Sequence, residues 1–293
     1  MNEKTITILG AGTMGRGIAH VCAASGFQTR VYDINDAAVD AAMTRINGTL
    51  DKALSRGKLN EDERSACSAR LTGTTSVAEA VTGSDLIIEA APENMDLKKS
   101  LYEEVSKSLA PHAILASNTS ALALTELAES TGCADRFIGM HFFNPPYALR
   151  LLELIVTEQT SEKTVQETRG FAEAMNREIV QVKDSPGFAT SRLGINHGNE
   201  ATRMVAEGVA KADDIDRALR FGYGHPMGPL ELSDLVGLDV RLAITEYLYS
   251  TLGSDTFKPP ELLKQKVAAG HVGKKSGRGF YIWEDGKKIR EVE

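Results

Sequence analysis

The chain has no apolar run approaching the ~20 residues that a membrane-crossing helix needs, and it leads into its first strand without the layout of a signal peptide. The expectation is a protein that neither spans a membrane nor is exported. A dense basic block is also missing: 33 Lys and Arg stand against 40 Asp and Glu, a formal net charge of −7, so no nucleic acid partner is expected. Cysteine is scarce. Cys22, Cys67 and Cys133 are odd in number and lack metal-type spacing, which argues against a disulfide framework or a metal site and fits a reducing, cytoplasmic compartment. No internal repeat or low-complexity tract appears, so solenoid and linker architectures drop out. What remains is a 293-residue chain of ordinary apolar and charged content, 42% and 25%, long enough for one large domain or two smaller ones.

A strong local pattern opens the chain. Thr5 to Leu9 alternates Thr and Ile as a short strand, and Gly10-Ala11-Gly12-Thr13-Met14-Gly15 follows with no residue between. This is G-x-G-x-x-G where a dinucleotide-binding turn needs it. Gly10 permits the tight turn, Gly12 lets the backbone approach a pyrophosphate, and Gly15 lets the helix starting there lie close to the strand. That helix runs through Ile18, Ala19, Cys22 and Ala23 and ends at Gly26. Gln28 to Tyr32 reads as a second strand, and Asp33 stands at its end, about 20 residues on, where an acid can take the ribose hydroxyls of an adenosine. An acid there repels a 2′-phosphate, which predicts NAD over NADP. The competing reading is that Asp33 caps the next turn.

From Asp36 to about Ser68 runs a long polar helical region with Arg45, Lys52, Arg56, Lys58 and Arg64 among its charges. It reads as a solvated helical face, yet it exceeds what a crossover needs, and a projecting hairpin beside a nucleotide site could meet a second phosphate-bearing ligand. Leu86-Ile87-Ile88 is a third strand running into Glu89 to Asn94; Lys98 to Leu109 resumes a helix; Ala113 to Ala116 is the next strand. It ends in Ser117-Asn118-Thr119-Ser120. One or two of these can cap the helix bearing Leu122, Leu124 and Leu127, which leaves the others to face a ligand. Polar side chains thus recur at strand ends, where open α/β sheets bind ligands.

Phe137 to Leu154 concentrates the chemistry. His141 follows Phe137, Ile138 and Met140, an apolar run that reads as a buried strand, and Asn144-Pro145-Pro146 breaks the backbone just after it. Glu153 lies inside a second apolar run, Leu151 to Val156, where a carboxylate must find a partner or be neutralised. His141 is the obvious partner. A histidine that donates its second ring nitrogen to a carboxylate has a fixed tautomer, and the pair can trade a proton with a hydroxyl. Alone, the stretch equally admits a core His bonded to a carbonyl and a Glu in solvent.

Beyond Asp184-Ser185-Pro186-Gly187, read as a junction with Ser185 as N-cap and Pro186 as first helical residue, the strands stop. Phe188 to Glu207 reads as a helix with Ala189, Leu193, Ala201, Met204 and Val205 on one face, ended by Gly208. Asp213-Asp214-Ile215 starts a short helix, Gly222 to Gly228 is a loop, and Pro229 opens a helix through Tyr247. His197 and His225 read as structural. The tail, Lys274 to Trp283, reads as a segment docked on the helices.

Taken in order, GAGTMGRGIA, ASNTSALAL, GMHFFNPP with a Glu twelve residues after its His, DSPGF, HPMGPLELSDLVGLD and KKSGRGFY resemble the 3-hydroxyacyl-CoA dehydrogenase family over nearly the whole chain. The resemblance is strongest to single-function bacterial 3-hydroxybutyryl-CoA dehydrogenases. It implies an N-terminal Rossmann-type, doubly wound α/β domain with a helical hairpin insertion, residues 1–184, and a smaller all-α domain for substrate and dimerisation, residues 185–293. It implies NAD as cofactor, a short-chain acyl-CoA as substrate, and a homodimer joined through the helical part. It also makes His141 the acid/base and Glu153 its orienting partner, with Ser120 and Asn144 contacting substrate beside them. Gly10, Gly12, Thr13, Met14, Gly15, Asp33 and Asn118 fall on the cofactor side, Glu93 and Lys98 at its nicotinamide end, and Thr49 and Arg56 where the family touches coenzyme A. One position departs: after DSPGF the family usually has an Asn, and this chain has Ser191, a substrate-side residue of shorter reach. Two other readings stay open. A dehydrogenase of a non-CoA hydroxy acid or sugar acid is disfavoured by the polar hairpin, and a catalytically idle nucleotide-binding or structural protein by His141 and Glu153.

Overall fold

The structure, a computed structural model, describes residues 4–120 and 122–292. The chain divides into two compact units, residues 1–185 and 186–293. The first is built on eight strands: β1 (Thr5–Leu9), β2 (Gln28–Tyr32), β3 (Leu71–Thr74), β4 (Leu86–Glu89), β5 (Ile114–Ser117), β6 (Phe137–Phe142), β7 (Leu151–Val156) and β8 (Glu178–Lys183), in the order β3-β2-β1-β4-β5-β6-β7-β8. All neighbours are parallel except β6 and β7. β4, β5 and β6 are buried along their whole length, as strands covered on both faces by helices must be, and so they read as continuous apolar runs. From β1 the chain moves outward to β2 and β3 and then crosses back to β4 on the other side. That reversal opens a crevice at the C-terminal ends of β1 and β4.

The helices of this unit are α1 (Thr13–Ala24), α2 (Asp36–Ser55), α3 (Glu61–Ala69), α4 (Val77–Val81), α5 (Met95–Ser106), α6 (Leu124–Glu129) and α7 (Glu162–Ala174). α2 and α3 form the expected polar hairpin. α2 buries Val39, Ala42, Ile46 and Leu50, one stripe at helical spacing, and starts at Asn35, whose side chain accepts the Ala37 N–H. α3 starts at a capping box between Asn60 and Glu63. Ala42, Ile46 and Leu50 of α2 and Cys67 of α3 join Ile6, Ile8, Ile18, Leu86, Ile88 and Met140 in one core. α5 begins at Met95, ahead of the expected Lys98, because Asn94 accepts the Leu97 N–H and starts the helix there.

The second unit is helical, with α8 (Thr190–Ala206), α9 (Ala212–Tyr223), α10 (Pro229–Val236), α11 (Leu238–Leu252) and α12 (Glu261–Ala268). Ser185 and Pro186 do not start α8. Residues 186–189 form a turn in which Gly187 has φ +72° and Phe188 φ +47°, backbone that no α-helix can include, so the helix waits until Thr190. Leu193, expected on the buried face of α8, is exposed; the face that packs carries Ile195, Gly198, Asn199, Ala201 and Thr202. The single helix expected from Pro229 to Tyr247 is two, because Gly237 at φ +105° breaks it. Strands do not wholly stop either: β9 (Tyr281–Glu284) and β10 (Lys287–Glu291) form an antiparallel hairpin at the tail. Asp234 of α10 holds it, accepting from Phe280 N, Tyr281 N and the Trp283 indole, each at 2.9 Å. Asp216 of α9 accepts from the Tyr281 hydroxyl at 2.7 Å. Burial pushes both carboxyls above their ordinary value.

Candidate active site

The glycine turn shows three different demands. Gly10 has φ +113°, and a Cβ there would lie 2.7 Å from Ala90 O; a Cβ on Gly15 would run into Gly10 O. Both positions are glycine because the chain's own backbone fills the space. A Cβ on Gly12 meets nothing within 4 Å, so no packing of this chain requires a glycine there. The space is open to a ligand approaching from outside. α1 starts at Gly12 with no side-chain cap and no acid in its first turn, so the N–H groups at Thr13 and Met14 suit a pyrophosphate. Asp33 Oδ2 accepts the Ala11 N–H at 2.8 Å, tying the end of β2 to this turn. Capping the next helix falls to Asn35 instead. Asp33 also lines a cleft of about 340 Å³ with Gly10, Tyr32, Ile34, Pro92 and Leu97, whose exposed apolar walls suit a flat base. These residues fit a dinucleotide.

At the ends of β4 and β5 the polar side chains are tied to one another more than to the following helix. Asn118 Oδ1 accepts the Phe142 N–H at 2.8 Å and so fastens this loop to the strand that bears His141. Glu93 Oε1 accepts from Thr119 Oγ1 at 2.6 Å, from Ser120 N–H at 2.9 Å and from Ser120 Oγ at 3.2 Å. Lys98 is placed beneath the loop: it is 1% exposed, with Nζ 2.5 Å from Glu89 Oε1 and 3.5 Å from Glu93 Oε2.

His141 and Glu153 face each other directly across β6 and β7, and opposed residues of an antiparallel pair share a face. Nδ1 of His141 lies 2.8 Å from Glu153 Oε2, with His141 8% and Glu153 0% exposed. A slip of one residue in register would send the carboxylate to the opposite face. An anion at Nδ1 favours the tautomer that carries its proton there, which puts the lone pair on Nε2. The ring also lies 4.5 Å from that of Phe143.

Asn144 belongs to the turn after β6 and lines a second cleft, about 320 Å³, with Thr49 of α2. Arg16, His20, Arg45 and Lys52 share it. Burial lowers the His20 pKa, so the positive charge comes from the two arginines and the lysine. His20 stacks on Tyr147 at 5.4 Å, and a Cβ on Gly17 would fall 2.7 Å from Pro146 Cδ, so α1 and the turn are in close contact. Arg56 caps the far end of α2, exposed, and does not line the cleft. Sequence reasoning passed over Arg16, Gly17, His20 and Tyr147. The second glycine of MGRG, two residues past the end of the dinucleotide pattern, was the available signal. In the other unit, Ser191 is half-buried in the first turn of α8, and His197 and His225 are exposed with rings 5.9 Å apart.

A dinucleotide turn after β1 and a histidine–carboxylate pair across β6 and β7 of the same sheet are the equipment of a dehydrogenase. A family model described as the NAD binding domain of 3-hydroxyacyl-CoA dehydrogenase matches residues 5–185, and one for the C-terminal domain matches residues 187–283. A probable 3-hydroxybutyryl-CoA dehydrogenase of Bacillus subtilis is 43% identical over 285 residues, covering 97% of this chain and 99% of the relative. A 3-hydroxybutyryl-CoA dehydrogenase of Mycobacterium tuberculosis is 39% identical over 282 residues, covering 96% and 98%. Among solved structures, that of (S)-3-hydroxybutyryl-CoA dehydrogenase PaaH1 from Ralstonia eutropha superposes with a TM-score of 0.93 at 40% identity, covering 97% and 100%. The chain belongs to the 3-hydroxyacyl-CoA dehydrogenase family, as an NAD-dependent oxidoreductase.

Proposed function

We propose that the chain interconverts a short-chain (S)-3-hydroxyacyl-CoA, such as 3-hydroxybutyryl-CoA, and its 3-oxo form. The observation that carries this is the 2.8 Å His141–Glu153 contact, buried beside the loop that bears Ser120 and on the strand that leads to Asn144. NAD, when bound, supplies the hydride acceptor. Neutral His141 takes the hydroxyl proton at Nε2 as the carbonyl forms, and Glu153 supports the resulting imidazolium. In reduction the imidazolium returns the proton. Acid–base assistance of this kind contributes about 10²–10⁴-fold, and Ser120 and Asn144 hold the reacting oxygen. Gly12, Thr13, Met14 and Asp33 would hold the pyrophosphate and adenosine, with Glu93 and Asn118 toward the nicotinamide. A carboxylate at Asp33 disfavours a 2′-phosphate.

The coenzyme A arm would use the basic cleft around Thr49. Arg16, Arg45 and Lys52 give it the charge that phosphates need, and Arg56 lies further along the same helix. A homodimer through the helical unit is supported by large apolar side chains left in solvent, Phe221 at 77% and Tyr223 at 81% exposure. Cytoplasmic residence fits three buried, unpaired cysteines; no helix of the described residues is long and apolar enough to cross a membrane.

The test is NADH consumption with acetoacetyl-CoA against free acetoacetate. Rapid turnover of the thioester alone is expected. Equal rates would move the reading to a hydroxy acid dehydrogenase without coenzyme A, and no consumption of NADH with either would remove it.

A further inference from the structure

Glu89 ends β4 fully buried, and four donors fill its carboxylate. The Ala91 N–H at 2.6 Å and Lys98 Nζ at 2.5 Å reach Oε1; the Tyr102 hydroxyl at 2.8 Å and Ser117 Oγ at 2.7 Å reach Oε2. The Lys98 ammonium donates also to Ala91 O at 3.3 Å and lies 3.5 Å from Glu93. Only Glu93 of these three charged residues reaches solvent, with its side chain 38% exposed. It is the shared acceptor for Thr119 and for both the N–H and the hydroxyl of Ser120. Charge therefore alternates from core to cleft: Glu89 negative, Lys98 positive, Glu93 negative.

An ammonium so far from water keeps its charge only beside an anion. Glu93 is too exposed and too distant to serve alone, and Tyr102, held neutral by burial and by the Glu89 charge, supplies no anion. We propose that Glu89 is a positioning residue for the nicotinamide end of the cleft: it anchors the Lys98 ammonium, Lys98 holds Glu93, and Glu93 sets the backbone and hydroxyl of Ser120. Glu89 touches no ligand itself. This rests on the NAD-linked reading given above.

The test compares two ligands, NADH and ADP-ribose, the second of which lacks the nicotinamide end. Glu89→Gln keeps the side chain's shape and removes its charge. NADH affinity is expected to fall about 10- to 100-fold, the worth of a charge-assisted hydrogen bond. ADP-ribose affinity is expected to stay at the wild-type value, because Gly12 and Asp33 are untouched. Glu89→Asp keeps the charge one methylene short, so it should lose less NADH affinity than the Gln variant, again with ADP-ribose unchanged; it decides the matter alone if the Gln variant does not fold. Unchanged NADH affinity, or equal losses for both ligands in the folded variants, overturns the proposal only. Wild-type protein that binds neither ligand overturns the cofactor reading and the proposal with it.

Discussion

At the scale of single residues, the glycine turn separates what the fold needs from what a ligand needs. Gly12→Ala adds a methyl group to open space, so its melting temperature should match wild type while NADH binds more weakly. Gly15→Ala drives a methyl into the Gly10 carbonyl and should cost about 1–3 kcal/mol of stability or more, read by denaturant unfolding. A destabilised Gly12 variant with normal NADH affinity would reverse the assignment. His141 and Glu153 were legible as a pair because each interrupts an apolar run and the two runs are close in sequence. Glu89 was not. It looks like any polar residue at a strand end until the fold brings Tyr102 and Ser117 to it, from 13 and 28 positions along the chain.

At the scale of elements, legibility followed how far each one depends on its own sequence. The bounds of β1 and β2 could be read from alternation and the adjoining turn, and the α2–α3 hairpin from its polar stripe. β3, four residues lying between β2 and open edge, has too little pattern to read; it forms because β2 pairs with it and because Gly73 leaves room for Val39. The start of α8 and the break before α11 were missed for one reason. Left-handed backbone at Gly187, Phe188 and Gly237 is imposed by the surroundings, and neither Pro186 as a helix start nor an apolar run signals it. The tail hairpin owes its place to Asp234, which serves three donors. Asp234→Ala leaves them buried and unpaired, so the helical unit should lose about 3–5 kcal/mol, and Trp283, the chain's one tryptophan, should shift its fluorescence to the red. Unchanged emission and stability would show that packing alone seats the hairpin.

At the scale of the whole molecule, the proposed function has a nucleotide crevice, a basic cleft and a proton-transfer pair serve one reaction. The proposed association of two copies through the helical unit predicts that Phe221→Glu with Tyr223→Glu shifts sedimentation from dimer to monomer; a wild-type monomer would contradict it. The direction of catalysis should set its pH dependence. Oxidation hands the hydroxyl proton to His141 and reduction takes a proton from it, so oxidation should gain as pH rises and reduction as pH falls. Coincident profiles would count against His141 as the proton carrier. The most direct measurement is single-turnover reduction of acetoacetyl-CoA by His141→Gln with NADH affinity measured alongside. The account predicts a rate reduced by about 10²–10⁴-fold with NADH bound as tightly as in wild type; a rate near wild type would contradict it.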